Sequence, residues 1–235
     1  MATGLFEKPF FRIAGDQGLL AEYGDDIDPE INRKVRAVAI AVDQEKPPGI
    51  IEYIPTYRSL IITYDPSVTD AQKLQAALLA LEERLTVIEI PPPDIVEIPV
   101  CYGGEFGPDI DFVAACHSLT VDEVIRIHSE PEYPVYMIGF TPGFPFLGGL
   151  PESLHTPRLE TPRKLVPAGS VGIANAQTGV YPIDSPGGWQ LIGRTPLKLF
   201  DPQRPKPFLL KAGDRLKFRN ITFEEYNRLK QGGDA

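Results

Sequence analysis

Between Tyr136 and Asp201 a glycine or a proline recurs every few residues. Both weaken the interior of regular elements, glycine through entropy and proline through its missing N–H. Dense use of both therefore needs a structural purpose. The tight turns of a β-barrel are one purpose, and shaped loops around a ligand are another. The segment reads YMIGFTPGFPFLGGLP, then a short charged passage, then VPAGSVGIANAQTGVYPIDSPGGWQLIGRTP. Tyr136, Phe140, Phe144, Phe146, Tyr181 and Trp189 lie within it, with Arg158, Arg163 and Arg194.

The chain before this segment reads differently. Phe10–Ala14 and Leu19–Tyr23 have strand character, and Gly15-Asp16-Gln17-Gly18 joins them as a hairpin. Asp28 before Pro29 is an N-cap followed by proline at the first helical position. Ile31, Val35, Val38, Ala39 and Val42 then recur at helical spacing, which predicts a helix from Pro29 to about Gln44. Strands are expected at Ile50–Pro55 and Ser59–Tyr64. Thr69 and Gln72 match a capping box ahead of a helix with Leu74, Leu78, Leu81 and Leu85 on one face. A last strand is expected at Val87–Ile90. The order ββαββαβ predicts a small α/β domain over residues 1–90.

Pro91-Pro92-Pro93 opens a stiff linker over residues 91–94, because a proline run cannot sit in a sheet centre. A second domain is expected over residues 95–235. Its elements are a strand at Ile95–Cys101 and short helices at Asp109–Cys116 and from Thr120 to about His128. Val135–Phe140 follows as a strand. Short strands are then predicted near Gly169–Ala174, Gly179–Ile183, Gly188–Gly193, Leu197–Phe200, Phe208–Lys211 and Arg215–Asn220. Many short strands at close spacing point to a barrel. Thr222-Phe223-Glu224-Glu225 caps a final helix, and Gln231–Ala235 is expected to fray.

The formal charge of −9 argues against nucleic acid and anionic membrane as partners. No apolar run reaches the length of a membrane span, and MATGLFEKPFF lacks the order of a signal peptide. These features predict a soluble cytoplasmic protein. Charge is unevenly placed: residues 1–93 carry 9 Lys/Arg against 15 Asp/Glu, whereas residues 131–220 carry 11 against 6. A small anionic substrate would be favoured in the second half, and a solvated basic face is the alternative. Cys101 and Cys116 form no redox or zinc motif, and thiols are expected.

Several chemistries can be tested against the residues. No Walker-type or dinucleotide glycine loop opens a helix. Ala168-Gly169-Ser170-Val171-Gly172 resembles a nucleophile elbow, but alanine replaces the first glycine and strand character follows the serine. His117, His128 and His155 share no metal-ligand spacing, so no metal is expected. His128, at a helix end, suits either a contact with the helix C-terminus or proton transfer. Arg158, Arg163 and Arg194 stand close to Pro157, Pro162 and Pro196. Planar guanidinium groups on rigid backbone suit fixed recognition of carboxylate or phosphate, with ordinary salt bridges as the alternative. Gln177, Ser185 and the amides of Gly187 and Gly188 add neutral donors, while Phe144 and Trp189 add apolar walls.

GFTPGFPFLGGLP (139–151), PRKLVPAGSVGIANAQTGVYP (162–182) and SPGGWQLIGRTP (185–196) closely resemble the 5-oxoprolinase B-subunit family, also called the Kip-inhibitor or allophanate hydrolase subunit 1 family. VCYGGEFGPD (100–109), His128-Ser129 and Tyr133 extend the resemblance upstream. It implies a fold of class α+β, a small α/β domain followed by a cyclophilin-like β-barrel. It also implies work with two partners, an A-subunit and a C-subunit, the latter a second barrel protein. Together they would form an ATP-dependent hydrolase that opens the cyclic amide of 5-oxo-L-proline to L-glutamate. ATP, with Mg2+, would then be a co-substrate at a site shared with a partner, and this chain would be inactive alone.

Within that reading the residues suggest roles. His128, Arg163 and Arg194 are the expected catalytic groups, with the arginines stabilising a transferring phosphoryl group. Phe144, Arg158, Gln177, Ser185, Gly187, Gly188 and Trp189 are the expected substrate-binding set. The resemblance leaves alternatives. One is non-catalytic inhibition of a sensor histidine kinase. Another is a carboxyltransferase half-site of a urea carboxylase or allophanate pathway, which would need a biotin carrier. The barrel also suggests prolyl isomerase activity, although fold does not imply function.

Overall fold

The structure, a computed structural model, describes residues 4–85 and 90–232. It divides into two compact units, Met1–Pro92 and Pro93–Ala235.

The first unit contains β1 (Leu5–Ile13), β2 (Gly18–Gly24), α1 (Pro29–Glu45), β3 (Ile50–Pro55), β4 (Ser59–Tyr64) and α2 (Ala71–Glu82). The strands form an antiparallel sheet in the order β1-β2-β4-β3. Alternation along β4 buries Leu60, Ile62 and Tyr64, and these pack with Val35, Val38 and Val42 of α1 and Leu74 and Leu78 of α2. Asp28 caps α1 by accepting from the N–H groups of Glu30 at 2.7 Å and Ile31 at 3.3 Å. The cap of α2 is one residue later than expected: Asp70, not Thr69, accepts from Lys73 N–H at 2.9 Å. The strand expected at Val87–Ile90 falls on residues 87–89, outside the described residues.

The second unit contains β5 (Ile95–Tyr102), α3 (Ile110–Cys116), α4 (Val121–Ser129), β6 (Glu132–Ile138), β7 (Pro145–Leu147), β8 (Arg163–Val166), β9 (Ser170–Ala174), β10 (Gln177–Val180), β11 (Ser185–Gly187), β12 (Gln190–Arg194), β13 (Arg215–Asn220) and α5 (Phe223–Gly232). Seven strands run in the order β10-β9-β12-β5-β13-β6-β7. The edge strands β10 and β7 come alongside each other, so the sheet nearly closes into a barrel. Ile98, Val100, Tyr133, Val171, Ile173, Ile192, Leu216 and Phe218 fill its interior. The expected mixed fold with a barrel-like sheet is therefore present.

Local corrections follow from proline. Leu197–Phe200 and Phe208–Lys211 are not strands; a single bridge joins Phe200 to Phe208. Pro202, Pro205 and Pro207 remove the donors a longer ladder would need. Conversely β7, β8 and β11 are short strands within the glycine–proline segment that residue patterns did not reveal; β8 and β11 pair with each other. Among the described residues no helix is long and apolar enough to cross a membrane.

Candidate functional site

Four parts of the second unit converge on one cleft of about 340 Å3. The turn between β6 and β7 supplies Phe140 and Phe144, and β7 itself supplies Phe146; the irregular passage before β8 supplies Arg158 and Pro162; β10 and its end supply Gln177 and Tyr181; β11 and its end supply Pro186, Gly187, Gly188 and Trp189. Six of the seven expected substrate-binding residues thus share a cavity: Phe144, Arg158, Gln177, Gly187, Gly188 and Trp189. The seventh, Ser185, pairs with Val166 at the start of β11 and is not among the lining residues.

Aromatic rings form the walls. Phe144 meets Phe146, Trp189, Tyr181 and Phe140 edge-on, with centroids 5.2, 5.8, 5.9 and 6.0 Å away. Edge-to-face contact at these separations fixes ring planes as well as positions. Glycine is required for this packing at Gly187, where a Cβ would collide with the Tyr181 hydroxyl, and Gly179 leaves room for the Trp189 ring. Phe140 differs from its neighbours. It adopts φ 66°, unusual for a side chain of this size, and is 80% exposed.

The polar groups of the cleft are few. Arg158 is exposed and forms no ion pair among the described residues. Burial pushes the Tyr181 hydroxyl up from its ordinary pKa, while Arg158, the Trp189 backbone and Arg163 pull it partway back. It therefore stays protonated at neutral pH and can donate to a ligand oxygen. The lining contains no serine, cysteine, histidine or carboxylate. The arrangement suits binding and polarising a small, flat anion more than attacking it.

Arg163 stands behind this cleft. Its Nη2 donates to Asp109 Oδ1 at 2.7 Å and its Nη1 to the Trp189 carbonyl at 3.2 Å. Asp109 Oδ2 accepts from Leu191 N–H at 2.6 Å. The pair clamps the backbone on either side of Gln190, so Arg163 positions Trp189 with its charge already partnered. Asp109, 54 residues from Arg163, carried no local signal.

His128 is a correction. It is completely buried, stacked on Phe218 at 4.5 Å. Its Nε2 lies 2.7 Å from Thr178 Oγ1 and its Nδ1 lies 2.8 Å from the Tyr102 hydroxyl. Thr178 spends its one hydroxyl hydrogen on the Gly172 carbonyl at 3.1 Å. Nε2 must then be the donor to Thr178, and Nδ1 accepts from Tyr102. Desolvation pushes the His128 pKa down to about 3. The imidazole is a neutral bolt through the barrel core, out of reach of a ligand.

Arg194 is also elsewhere. It ends β12 in a separate cavity with Lys198, Arg204 and Lys230. The three expected catalytic groups thus occupy three different surroundings, and none shares the aromatic cleft's lining.

Comparison with known proteins agrees with this architecture. Residues 9–210 match the family described as carboxyltransferase domain, subdomain C and D. The chain is 47% identical to a 5-oxoprolinase B-subunit of Bacillus subtilis (strain 168), over 92% of this chain and 95% of that protein. It is 26% identical to a urea amidolyase of Lachancea kluyveri, over 97% of this chain but only 14% of the relative. Among solved structures, TTHA0988 superposes with a TM-score of 0.78 at 40% identity, covering 87% of this chain and 40% of that one. The chain thus spans well under half of TTHA0988 and nearly all of the Bacillus protein, and it belongs to the 5-oxoprolinase B-subunit family.

Proposed function

We propose that this chain is the B-subunit of a cytoplasmic, ATP-dependent 5-oxoprolinase, opening the cyclic amide of 5-oxo-L-proline to L-glutamate together with its A- and C-subunits. The observation that carries the reading is the aromatic cleft with Arg158 at its side. A small lactam ring packs against the wall that Phe144 and Trp189 form together. Its carboxylate pairs with Arg158, the charged group of the cleft, which forms no ion pair among the described residues. The Tyr181 hydroxyl donates to a ligand oxygen.

The reaction breaks the ring C–N bond and adds water across it. ATP would transfer its γ-phosphoryl group to the lactam oxygen; one water then adds at that carbon as the ring C–N bond breaks and the amine takes a proton, and a second water displaces inorganic phosphate from the acyl phosphate to give glutamate. The cleft offers no carboxylate to hold Mg2+ and no nucleophile. That lining supports a reading in which ATP and its metal sit at a site shared with the second barrel protein, the C-subunit, and the chain is inactive alone. A carboxyltransferase half-site is the second reading, favoured by the description of the matching family.

The test is glutamate formation dependent on ATP and 5-oxoproline, with purified chain alone and with both partner subunits. Activity only in the complex is expected. Arg158→Gln should raise the KM for 5-oxoproline by about tenfold or more, the loss of one charge-assisted contact. No glutamate with both partners present, or an unchanged KM in the variant, would sink the assignment. Carboxyl transfer from a biotinylated carrier would favour the second reading.

A further inference from the structure

We propose that the cavity at the C-terminal end of β12 is a second anion site and that it takes the phosphate group of a small ligand. The cavity measures about 440 Å3. Arg194, Lys198, Arg204 and Lys230 reach it from β12, the loop that follows and α5. Its lining holds a single carboxylate, Asp184, and that group accepts the Ala168 N–H at 2.7 Å. Four cations around one carboxylate that is already engaged leave a strongly positive concavity, which gathers multiply charged anions.

Arg194 gives the cavity its specific feature. Its Nε is buried and has no hydrogen-bond partner among the described residues. It forms no ion pair among the described residues, and its guanidinium carbon stands 5.3 Å from the Phe106 ring. With Nε enclosed, the terminal guanidinium nitrogens are the donors that an oxyanion in the cavity would meet. The group is also preorganised. Its backbone is held between β5, opposite Cys101, and β9, opposite Ser170. Arg204 is held loosely by Asp201 at 3.6 Å, and Lys230 has no ion pair among the described residues. A planar guanidinium fork with ammonium groups beside it matches a tetrahedral oxyanion of charge −2 better than a single carboxylate. The one aromatic ring in the lining, Tyr226, is buried, so no open ring face is offered to a base. Recognition is therefore of the phosphate, and it stands independently of any role in lactam opening.

Calorimetric titration of the full chain with pyrophosphate at low ionic strength tests this. One saturable site is expected, weakening as salt is raised. Arg194→Gln and Lys230→Gln should each weaken it by about tenfold or more, the scale of a charge-assisted contact. Arg158→Gln should leave it unchanged, which separates this site from the aromatic cleft. Arg194 also packs against Phe106, so its variant is checked by circular dichroism; Lys230 is exposed and its variant carries the test if that one fails to fold. ATP binding as pyrophosphate does, with adenosine inert, assigns a nucleotide's phosphate chain as the source. Pyrophosphate binding without ATP binding assigns a smaller phosphorylated ligand. Absence of saturable binding, or binding lost in Arg158→Gln and retained in Lys230→Gln, overturns the proposal.

Discussion

His128 shows how completely surroundings set the chemistry of one side chain. Its ring is held neutral in the core with a pKa pushed down to about 3, against 6.5 for the free side chain. In the unfolded chain the same ring gains a proton below its ordinary value. Between those two values the unfolded state therefore binds more protons than the folded state, and stability falls as pH drops through that window. The contribution is fully present above the unfolded value, and its loss can reach about 1.4 kcal/mol per pH unit. His128→Gln should cost about 1–3 kcal/mol at neutral pH through its hydrogen bonds, yet show a smaller further loss on acidification. Denaturant unfolding of both proteins at about pH 7 and about pH 5 checks this; equal acid losses would show that His128 does not carry the effect. Residue type and position near a helix end were legible for this histidine. Its burial was not, because Thr178 and Tyr102 approach it from 50 and 26 residues away.

Elements were more legible than side-chain roles, because caps and periodicity are local. Thr120 and Glu123 make both bonds of the capping box that their spacing predicts, with Glu123 N–H to Thr120 Oγ1 at 3.2 Å and Thr120 N–H to Glu123 Oε2 at 2.8 Å. At α2 the same reasoning selected Thr69 with Gln72. Thr69 is buried and leaves the cap to Asp70, whose carboxylate is held below its ordinary range chiefly by the Lys73 backbone N–H. Asp70→Ala should lower the stability of the protein by removing the side chain that caps α2. Thermal or denaturant unfolding reads that loss; no change would mean the helix start is held by other contacts. Strands of three or four residues were the least legible elements. β7, β8 and β11 carry too few positions for alternation to register, and β8 and β11 pair across the intervening β9 and β10.

At the scale of the molecule, local patterns in the C-terminal half identified strands but could not order them. The parallel pairing of β13 with β5 joins Arg215 to Ile95 and Asn220 to Val100, and no turn signal links segments so far apart. The convergence of Phe144, Arg158, Gln177 and Trp189 depends on that closure. The chain divides into its two compact units between Pro92 and Pro93. Each hydrophobic cluster among the described residues lies wholly within one unit: Leu19, Val38, Leu60 and Leu74 belong to one, and Ile98, Val171, Ile192 and Phe218 to another. A core that lies within one unit should form without the other. The second unit also keeps its own beginning, because the Asp94 carbonyl accepts from Arg215 N–H at 2.8 Å and its carboxylate pairs with Lys211 at 2.6 Å. A fragment of residues 93–235 should therefore fold alone, with a single cooperative unfolding transition and dispersed NMR signals for Trp189 and the barrel. A fragment that gives collapsed spectra, or that folds only when residues 1–92 are added, would show that the barrel depends on the first unit. The expected result would make the barrel unit sufficient to build both the aromatic cleft and the Arg194 cavity, since every residue lining them lies beyond Pro93.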